Sequence, residues 1–252
     1  MIARHRGIVD LLTAEGEQSV ESLARAFSVS GMTIRRDLSV LEESGKLTRT
    51  WGGATVARPA AILSSFREKE NRALRQKRAI GRAASRLVGA GNAVFLDTGT
   101  TTLQIARELR SSTDLTVMTC SFPVVSELVG LQGVRLVMLG GTVRADTLEV
   151  YGPITERNFS GLKADLAFLG ADAIGPNGEL MTTTIESARV SELMMQAGRK
   201  LVLVADHTKW RAAAPVQYGA ISQLHMVMTD AGLDTEDGAK VRGAGVELIL
   251  AE

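Results

Sequence analysis

The sequence predicts a two-part chain: a small helical unit closed by a hairpin, then a larger α/β domain with a mostly parallel sheet. Three observations predict it. Residues 27–54 hold a turn, an amphipathic helix that opens near two adjacent arginines, and a short alternating stretch ending in Gly52-Gly53. After Gly91, short apolar runs alternate with amphipathic helical stretches, the pattern of buried parallel strands covered by helices. At 252 residues the chain also exceeds the usual size of one domain.

In the first part, Ile8, Leu11 and Leu12 have helical spacing and predict a helix from about Arg4 to Ala14, broken by Glu15-Gly16. Ser19 is placed to cap a second helix carrying Val20, Leu23, Ala24 and Phe27. After the turn at Ser28-Val29, Ser30 is placed to cap a third helix running to about Glu43, with Gly45 ending it. Ile34, Leu38 and Leu41 fall at i, i+4 and i+7 and form its inward stripe. Leu47–Trp51 alternates before the glycine pair and predicts a small wing. The whole is the layout of a winged helix-turn-helix, whose second motif helix enters the DNA major groove.

The expected boundaries are residues 1–57 for this unit, 58–74 for a linker and 75–252 for the α/β domain. A helix follows the linker, with Ile80, Ala83, Ala84, Leu87 and Val88 on one face and Arg75, Lys77, Arg78, Arg82 and Arg86 elsewhere. The expected strands are Ala93–Leu96, Leu115–Met118, Leu136–Leu139, Leu166–Leu169, Leu201–Ala205 and Met226–Met228, with Val246–Leu250 as a last edge strand. Helices are expected over Thr101–Leu109, Phe122–Val129 and Ile185–Ala197.

Composition is ordinary for a soluble globular protein, 45% hydrophobic and 23% charged. A net charge of +1 argues against a uniformly basic coat, though not against a local patch. One such block runs from Arg67 to Arg86, eight Lys/Arg against Glu68 and Glu70. It is read either as a solvated, salt-bridging face or as a phosphate contact. Cys120 is the only cysteine, which excludes an intrachain disulfide and fits a reducing compartment; it is expected to be a small buried residue. The N-terminal stretch is interrupted by Arg4, His5, Arg6 and Asp10, unlike a signal peptide. No apolar run approaches the length needed to span a bilayer, so a cytoplasmic protein without membrane contact is expected.

The third helix carries the chemistry of the first unit. With Ile34 facing inward, its N-terminal turns present Ser30, Met32, Thr33, Arg35 and Arg36 to DNA. Arginine bonds guanine bidentately, for roughly 1–3 kcal/mol of discrimination, or neutralises a phosphate. Thr48 and Arg49 on the wing would meet the backbone or minor groove. Trp51 either joins them or packs the wing onto the core. The plain alternative makes Arg35-Arg36-Asp37 a solvated face with local salt bridges.

In the second domain, Asp97-Thr98-Gly99-Thr100-Thr101 lies where a buried strand ends and a helix begins. Backbone N–H groups, hydroxyls and the helix dipole there favour an anion, and open α/β sheets bind ligands at such strand ends. Gly140 and Gly141 follow another strand. Asp172, Glu186, Asp206 and Lys209 stand at further strand or helix ends, suited to the hydroxyls and phosphate of a small polyol. For Asp206 and Lys209 the plain alternative is a turn cap and a surface lysine. No nucleotide-loop fingerprint, hydrolase elbow or metal-ligand spacing is present, and neither a catalytic residue, a metal nor a cofactor is expected.

The chain resembles the DeoR-type bacterial transcriptional regulators over nearly its whole length. The N-terminal match rests on Val29-Ser30, Thr33-Ile34-Arg35-Arg36-Asp37-Leu38, Leu41, Gly45 and Gly52-Gly53-Ala54. The C-terminal match rests on Asp97-Thr98-Gly99-Thr100-Thr101, Gly140-Gly141, Gly152, Asp172 and Asp206-His207-Thr208-Lys209. The resemblance implies a sensor domain similar to ribose-5-phosphate isomerase and CoA transferases that binds a phosphorylated sugar or related metabolite. By it, the Thr98–Thr102 loop holds the phosphate, and the effector changes affinity for double-stranded operator DNA. Three positions depart from the family: Cys120 stands where Asn is frequent, Trp51 where His is common in the wing, and Val190 where a Lys or Arg follows Glu186.

A repressor of carbohydrate genes is the expected function, acting as a homo-oligomer, dimer or tetramer, because one winged helix makes too few contacts for tight binding. Two other readings stay open. One is a sugar-phosphate isomerase fused to a DNA tether, using Glu186 or Asp172 with Lys209. The other is a C-terminal domain that only oligomerises.

Overall fold

The computed structural model describes residues 2–44, 46–56 and 66–252. The chain forms two compact units, Met1–Glu68 and Lys69–Glu252.

In the first unit, helix α1 (Ile2–Glu15) leads to a two-residue strand β1 (Gln18–Ser19), helix α2 (Val20–Ala26), helix α3 (Gly31–Glu43), and strands β2 (Leu47–Thr50) and β3 (Gly53–Val56). Both predicted caps form: Ser19 accepts from the Ser22 amide at 3.1 Å and Ser30 from the Thr33 amide at 3.2 Å. Each satisfies an amide that the first helical turn leaves without a partner. Ile34, Leu38 and Leu41 are buried with Ile8, Leu12, Val20, Leu23, Leu47 and Ala54. The sheet order is β1-β3-β2. The pairing of β1 was beyond the sequence reading, and Gly53 permits it: a Cβ there would stand 2.3 Å from the Gln18 carbonyl oxygen. Gly45 lies outside the described residues, as do positions 58–65 of the expected linker. Residues 66–71 are helical, so the C-terminal side of that stretch carries regular structure of its own.

The second unit runs α4 (Leu74–Ser85), β4 (Ala93–Leu96), α5 (Thr100–Glu108), β5 (Leu115–Thr119), α6 (Phe122–Leu128), β6 (Val134–Met138), β7 (Thr142–Arg144) and β8 (Glu149–Tyr151). It continues with α7 (Pro153–Asn158), β9 (Ala164–Leu169), β10 (Ala173–Ile174), β11 (Glu179–Thr182), α8 (Ile185–Ala197), β12 (Gly198–Val204), β13 (Val216–Ala220), β14 (Met226–Asp230), α9 (Thr235–Gly243) and β15 (Glu247–Ala251).

Seven strands form one sheet in the order β15-β14-β12-β9-β4-β5-β6, every neighbouring pair parallel. Both faces are covered, so successive residues of one strand enter opposite cores. Phe95, Ala167, Leu169, Leu201 and Leu203 pack against Ala188, Val190 and Met194 of α8. Val94, Leu96, Leu166, Phe168, Val202 and Val204 pack against Ile80 and Ala84 of α4 and Ile105 of α5. This double burial is why these strands read as unbroken apolar runs.

The chain enters the sheet in β4, beside its central strand, moves outward through β5 and β6, returns to the central strand β9 on the other side of β4, and moves outward again. The order therefore reverses between β4 and β9. The crevice outside the carboxyl ends of those two strands is where a doubly wound sheet accommodates a ligand. Two small additions escaped the sequence reading: the β7–β8 hairpin and a three-stranded sheet of order β10-β11-β13.

Candidate functional site

With the apolar stripe of α3 turned inward, Met32 is 73% exposed, Arg35 and Arg36 are exposed, and Thr33 is partly so. Neither arginine has a carboxylate within ion-pair distance among the described residues. Ser30 spends its hydroxyl on the cap and on Thr33 Oγ1, 2.9 Å away. Asp37 behaves differently from its two neighbours. It is buried, accepting from Arg4 at 2.6 and 3.2 Å and lying 2.9 Å from His5 Nε2. The solvated-face reading of Arg35-Arg36-Asp37 thus fails at Asp37, which turns back onto α1.

On the wing, Thr48 and Arg49 are exposed. Arg49 is tied to α3, its amide donating to Glu42 Oε1 at 3.1 Å and its guanidinium reaching Ser39 Oγ at 3.5 Å. Trp51 is fully exposed in the turn between β2 and β3. It does not pack the wing onto the core.

In the second unit the crevice is organised by Asp97, which closes β4. Its carboxylate accepts from the Thr98 amide at 2.8 Å and from the Gly170 amide, after β9, at 2.9 Å. One side chain therefore clamps the two strands that flank the reversal. Burial pushes the Asp97 carboxyl up to about 6; the two amides oppose the rise, and the charges of Glu149 and Asp172 add to it. Tyr218, also buried, donates to the Gly170 carbonyl from the other side.

Beyond Asp97, Gly99 is the N-cap of α5 and no side chain caps that helix. The first N–H groups of a helix have no partner within it, so this start suits an anion. Thr102 donates to the carbonyls of Asp97 and Gly99, both at 2.7 Å, and so fixes the loop. Thr98 and Thr100 are half-buried and Thr101 is buried.

Gly140 and Gly141 sit between β6 and β7. The Gly140 carbonyl accepts from Thr155 at 3.0 Å and Asn158 at 2.9 Å. A Cβ on Gly141 would fall 2.0 Å from Thr155 Oγ1 and 2.7 Å from the Tyr151 carbonyl oxygen. Asp172 accepts from the Thr182 hydroxyl at 2.9 Å and the Thr183 amide at 3.2 Å. Glu186 is exposed and pairs with Arg144 at 3.2 Å.

Asp206 is buried and caps the turn His207–Lys209, accepting from the Thr208 amide at 3.0 Å. Neither Asp206 nor Lys209 shares a hydrogen bond or ion pair with the Asp97 group among the described residues. Both instead act on Lys77 of α4. Lys77, expected off the apolar face, is 3% exposed. It stands three residues before Ile80 and seven before Ala84, and that spacing was the available signal. Burial pushes its ammonium down to about 8; Asp206 opposes the shift, while Lys209 and Arg72 reinforce it.

Two further residues were missed. Arg144 and Glu149 face each other across the β7–β8 hairpin, bonded at 2.8 Å. Glu149 also accepts from Thr98 Oγ1 at 3.0 Å and Ser187 Oγ at 2.7 Å. Arg144 reaches Thr184 Oγ1 at 3.2 Å and lies over the Tyr151 ring, 4.5 Å from its centroid. Cys120 is buried, as expected, and burial drives its thiol far above the usual range.

Residues 4–60 match the family model of a DeoR-like helix-turn-helix domain, and residues 72–231 match that of the DeoR C terminal sensor domain. The chain belongs to the DeoR family. Full-length DeoR-type relatives agree: the HTH-type transcriptional regulator GlpR of Haloferax volcanii is 34% identical over 98% of this chain and 96% of its own. The glycerol-3-phosphate regulon repressor of Escherichia coli K12 is 30% identical over 90% of each chain. The HTH-type transcriptional repressor CsqR of the same organism is 30% identical over 99% of this chain and 95% of its own. Among solved structures, ribose 5-phosphate isomerase A of Methanocaldococcus jannaschii aligns over 53% of each chain at a TM-score of 0.40 and 19% identity. This DeoR-family protein is thus a DNA-binding transcriptional regulator with a separate sensor domain.

Proposed function

We propose that this regulator represses carbohydrate genes and that a phosphorylated sugar or related metabolite, bound outside β4 and β9, controls its affinity for operator DNA. The observation that carries the reading is the clamp of Asp97 across the strand-order reversal, beside the uncapped start of α5. Hydroxyls of Thr98 and Thr100, the first-turn amides and the Gly140–Gly141 corner would receive the phosphate end. Asp172, Glu186, Asp206 and Lys209 would meet the polyol. The name of the glycerol-3-phosphate regulon repressor, which carries a phosphorylated polyol, supports the same chemistry.

On the DNA side, Met32, Thr33, Arg35 and Arg36 face the major groove, with Ser30 at the helix start and Thr48 and Arg49 on the backbone or minor groove. The protein acts as a cytoplasmic homo-oligomer, dimer or tetramer, because two linked reading heads raise affinity through effective concentration. For the effector to act, it must favour one conformation; a hundredfold preference corresponds to about 2.7 kcal/mol of coupling. The sensor domain performs no turnover and uses no cofactor. Asp97 and Asp172 are engaged by amides or hydroxyls and Glu186 by Arg144, and none of the three forms an ion pair with Lys209 among the described residues.

The test is fluorescence anisotropy on DNA from upstream of the gene and its neighbours, with and without a panel of sugar phosphates. Tight binding released by one compound is expected. Binding no tighter than to random DNA, at about 10⁻⁴–10⁻⁶ M, together with turnover of a panel member, would replace the repressor by an enzyme.

A further inference from the structure

Glu149 is a carboxylate seated among donors. Its side chain is 7% exposed, and its two oxygens take hydrogen bonds from three separate elements. Thr98, on the loop after β4, donates to Oε2; Ser187, in the first turn of α8, and Arg144, on β7, both donate to Oε1. Two neutral hydroxyls and a guanidinium converging from three directions make a geometry suited to any small oxyanion. Thr98 belongs to the proposed phosphate loop.

The surroundings are otherwise unfavourable to this carboxylate. Asp97 is near enough for Glu149 to raise its pKa, and Asp172 does the same. A buried anion among like charges keeps its place only through its hydrogen bonds and its cation. The backbone beneath it is firmly held, since the Val150 amide donates to the Cys120 carbonyl at 2.8 Å and the Phe122 amide to the Leu148 carbonyl at 3.0 Å. The part free to yield is the side chain, not β8.

We propose that Glu149 is an internal competitor for the effector's anionic group: it takes the donors of Thr98, Ser187 and Arg144, and a phosphate must displace it to bind there. This rests on the reading of the crevice as the effector site. The displaced carboxylate leaves Arg144 to the phosphate, and Arg144 also holds Glu186 and Thr184 at the start of α8. Arrival of the anion is thereby transmitted to that helix. The residue sets a threshold, because only a ligand that outbids a tethered carboxylate is sensed.

The test titrates inorganic phosphate into the full-length protein, its Glu149→Gln variant and its Glu149→Ser variant by isothermal calorimetry. Operator binding serves as the check of folding. Removing the competing charge should tighten phosphate binding by roughly tenfold or more in whichever variant folds. Adding Arg144→Gln should cancel the gain. Equal or weaker phosphate binding in both variants would overturn the competitor while leaving the crevice as the effector site. Phosphate bound by none of the chains, although all bind operator, would overturn both readings.

Discussion

Arg4 on α1 and Asp37 on α3 are joined by two hydrogen bonds, at 2.6 and 3.2 Å, and His5 adds a contact at 2.9 Å to the same carboxylate. The helix that presents Arg35 and Arg36 is thus aimed by a buried polar clamp as well as by its apolar stripe. Hydrogen bonding from Arg4, helped by that from His5, holds the Asp37 carboxyl below its ordinary value of 3.8. A depressed folded pKa means that this contribution to stability is present above the unfolded value and is lost as pH falls through the folded one. Asp37→Ala should lower the melting temperature and weaken operator binding together. Asp37→Asn should flatten the wild type's loss of stability below 3.8. Melts across that acid range, compared between the three chains, check both statements; an unchanged acid limb would remove the clamp.

Arg35 differs from its neighbour Asp37 in that its guanidinium has no ion-pair or hydrogen-bond partner among the described residues. Arg35→Ala should weaken operator binding while shifting the melting temperature by no more than about a degree, since exposed substitutions away from special features change stability little. Anisotropy and a thermal melt on one preparation decide it. Undiminished affinity would take Arg35 out of the interface.

Asp97 has the opposite electrostatics to Asp37. Its folded pKa, about 6, lies above its ordinary 3.8, so the folded state holds the proton more tightly. Its contribution to stability is full below 3.8 and is lost as pH rises through about 6. The wild type should therefore lose on the order of a few kcal/mol across that window from this group. Asp97→Asn should remove that part of the slope, at the cost of one acceptor for the Thr98 or Gly170 amide. Chemical denaturation at several pH values measures it, and identical slopes in both proteins would contradict the assignment.

Gly141 is set by steric contact rather than charge. Gly141→Ala would drive a methyl group against Thr155 and the Tyr151 carbonyl, forcing the β7–β8 hairpin away from α7. The expected outcome is a destabilisation of roughly 1–3 kcal/mol, the usual cost of overpacking, with loss of any effector response and retained operator binding at low temperature. Wild-type stability in the variant would show that the hairpin yields freely.

What was legible in the sequence follows from the physics of each element. Ile185–Ala197 and Ala93–Leu96 appear with the bounds read from periodicity, because long amphipathic faces and doubly buried strands leave strong patterns. Asp97 was legible because a strand end followed by Gly and hydroxyls is a local pattern. Arg144 and Glu149 were not, because three-residue strands leave almost no periodicity and their partners Thr98, Ser187 and Glu186 are distant in sequence. Lys77 was hidden for another reason: a lysine in a basic block reads as exposed, whereas its position beside Ile80 and Ala84 places it inside. Trp51 could not be resolved either way until the turn between β2 and β3 put it wholly in solvent.

That exposed indole has a practical consequence. The chain holds two tryptophans, one at the tip of the wing and the other, Trp210, partly covered with its Nε1 shielded from solvent and without a hydrogen-bond partner among the described residues. Trp51, fully exposed, should emit red-shifted and quench readily, and Trp210, partly covered, should emit further to the blue. Replacing either by phenylalanine yields a single-fluorophore protein, so that events on the wing and in the sensor domain can be timed independently, without an added dye.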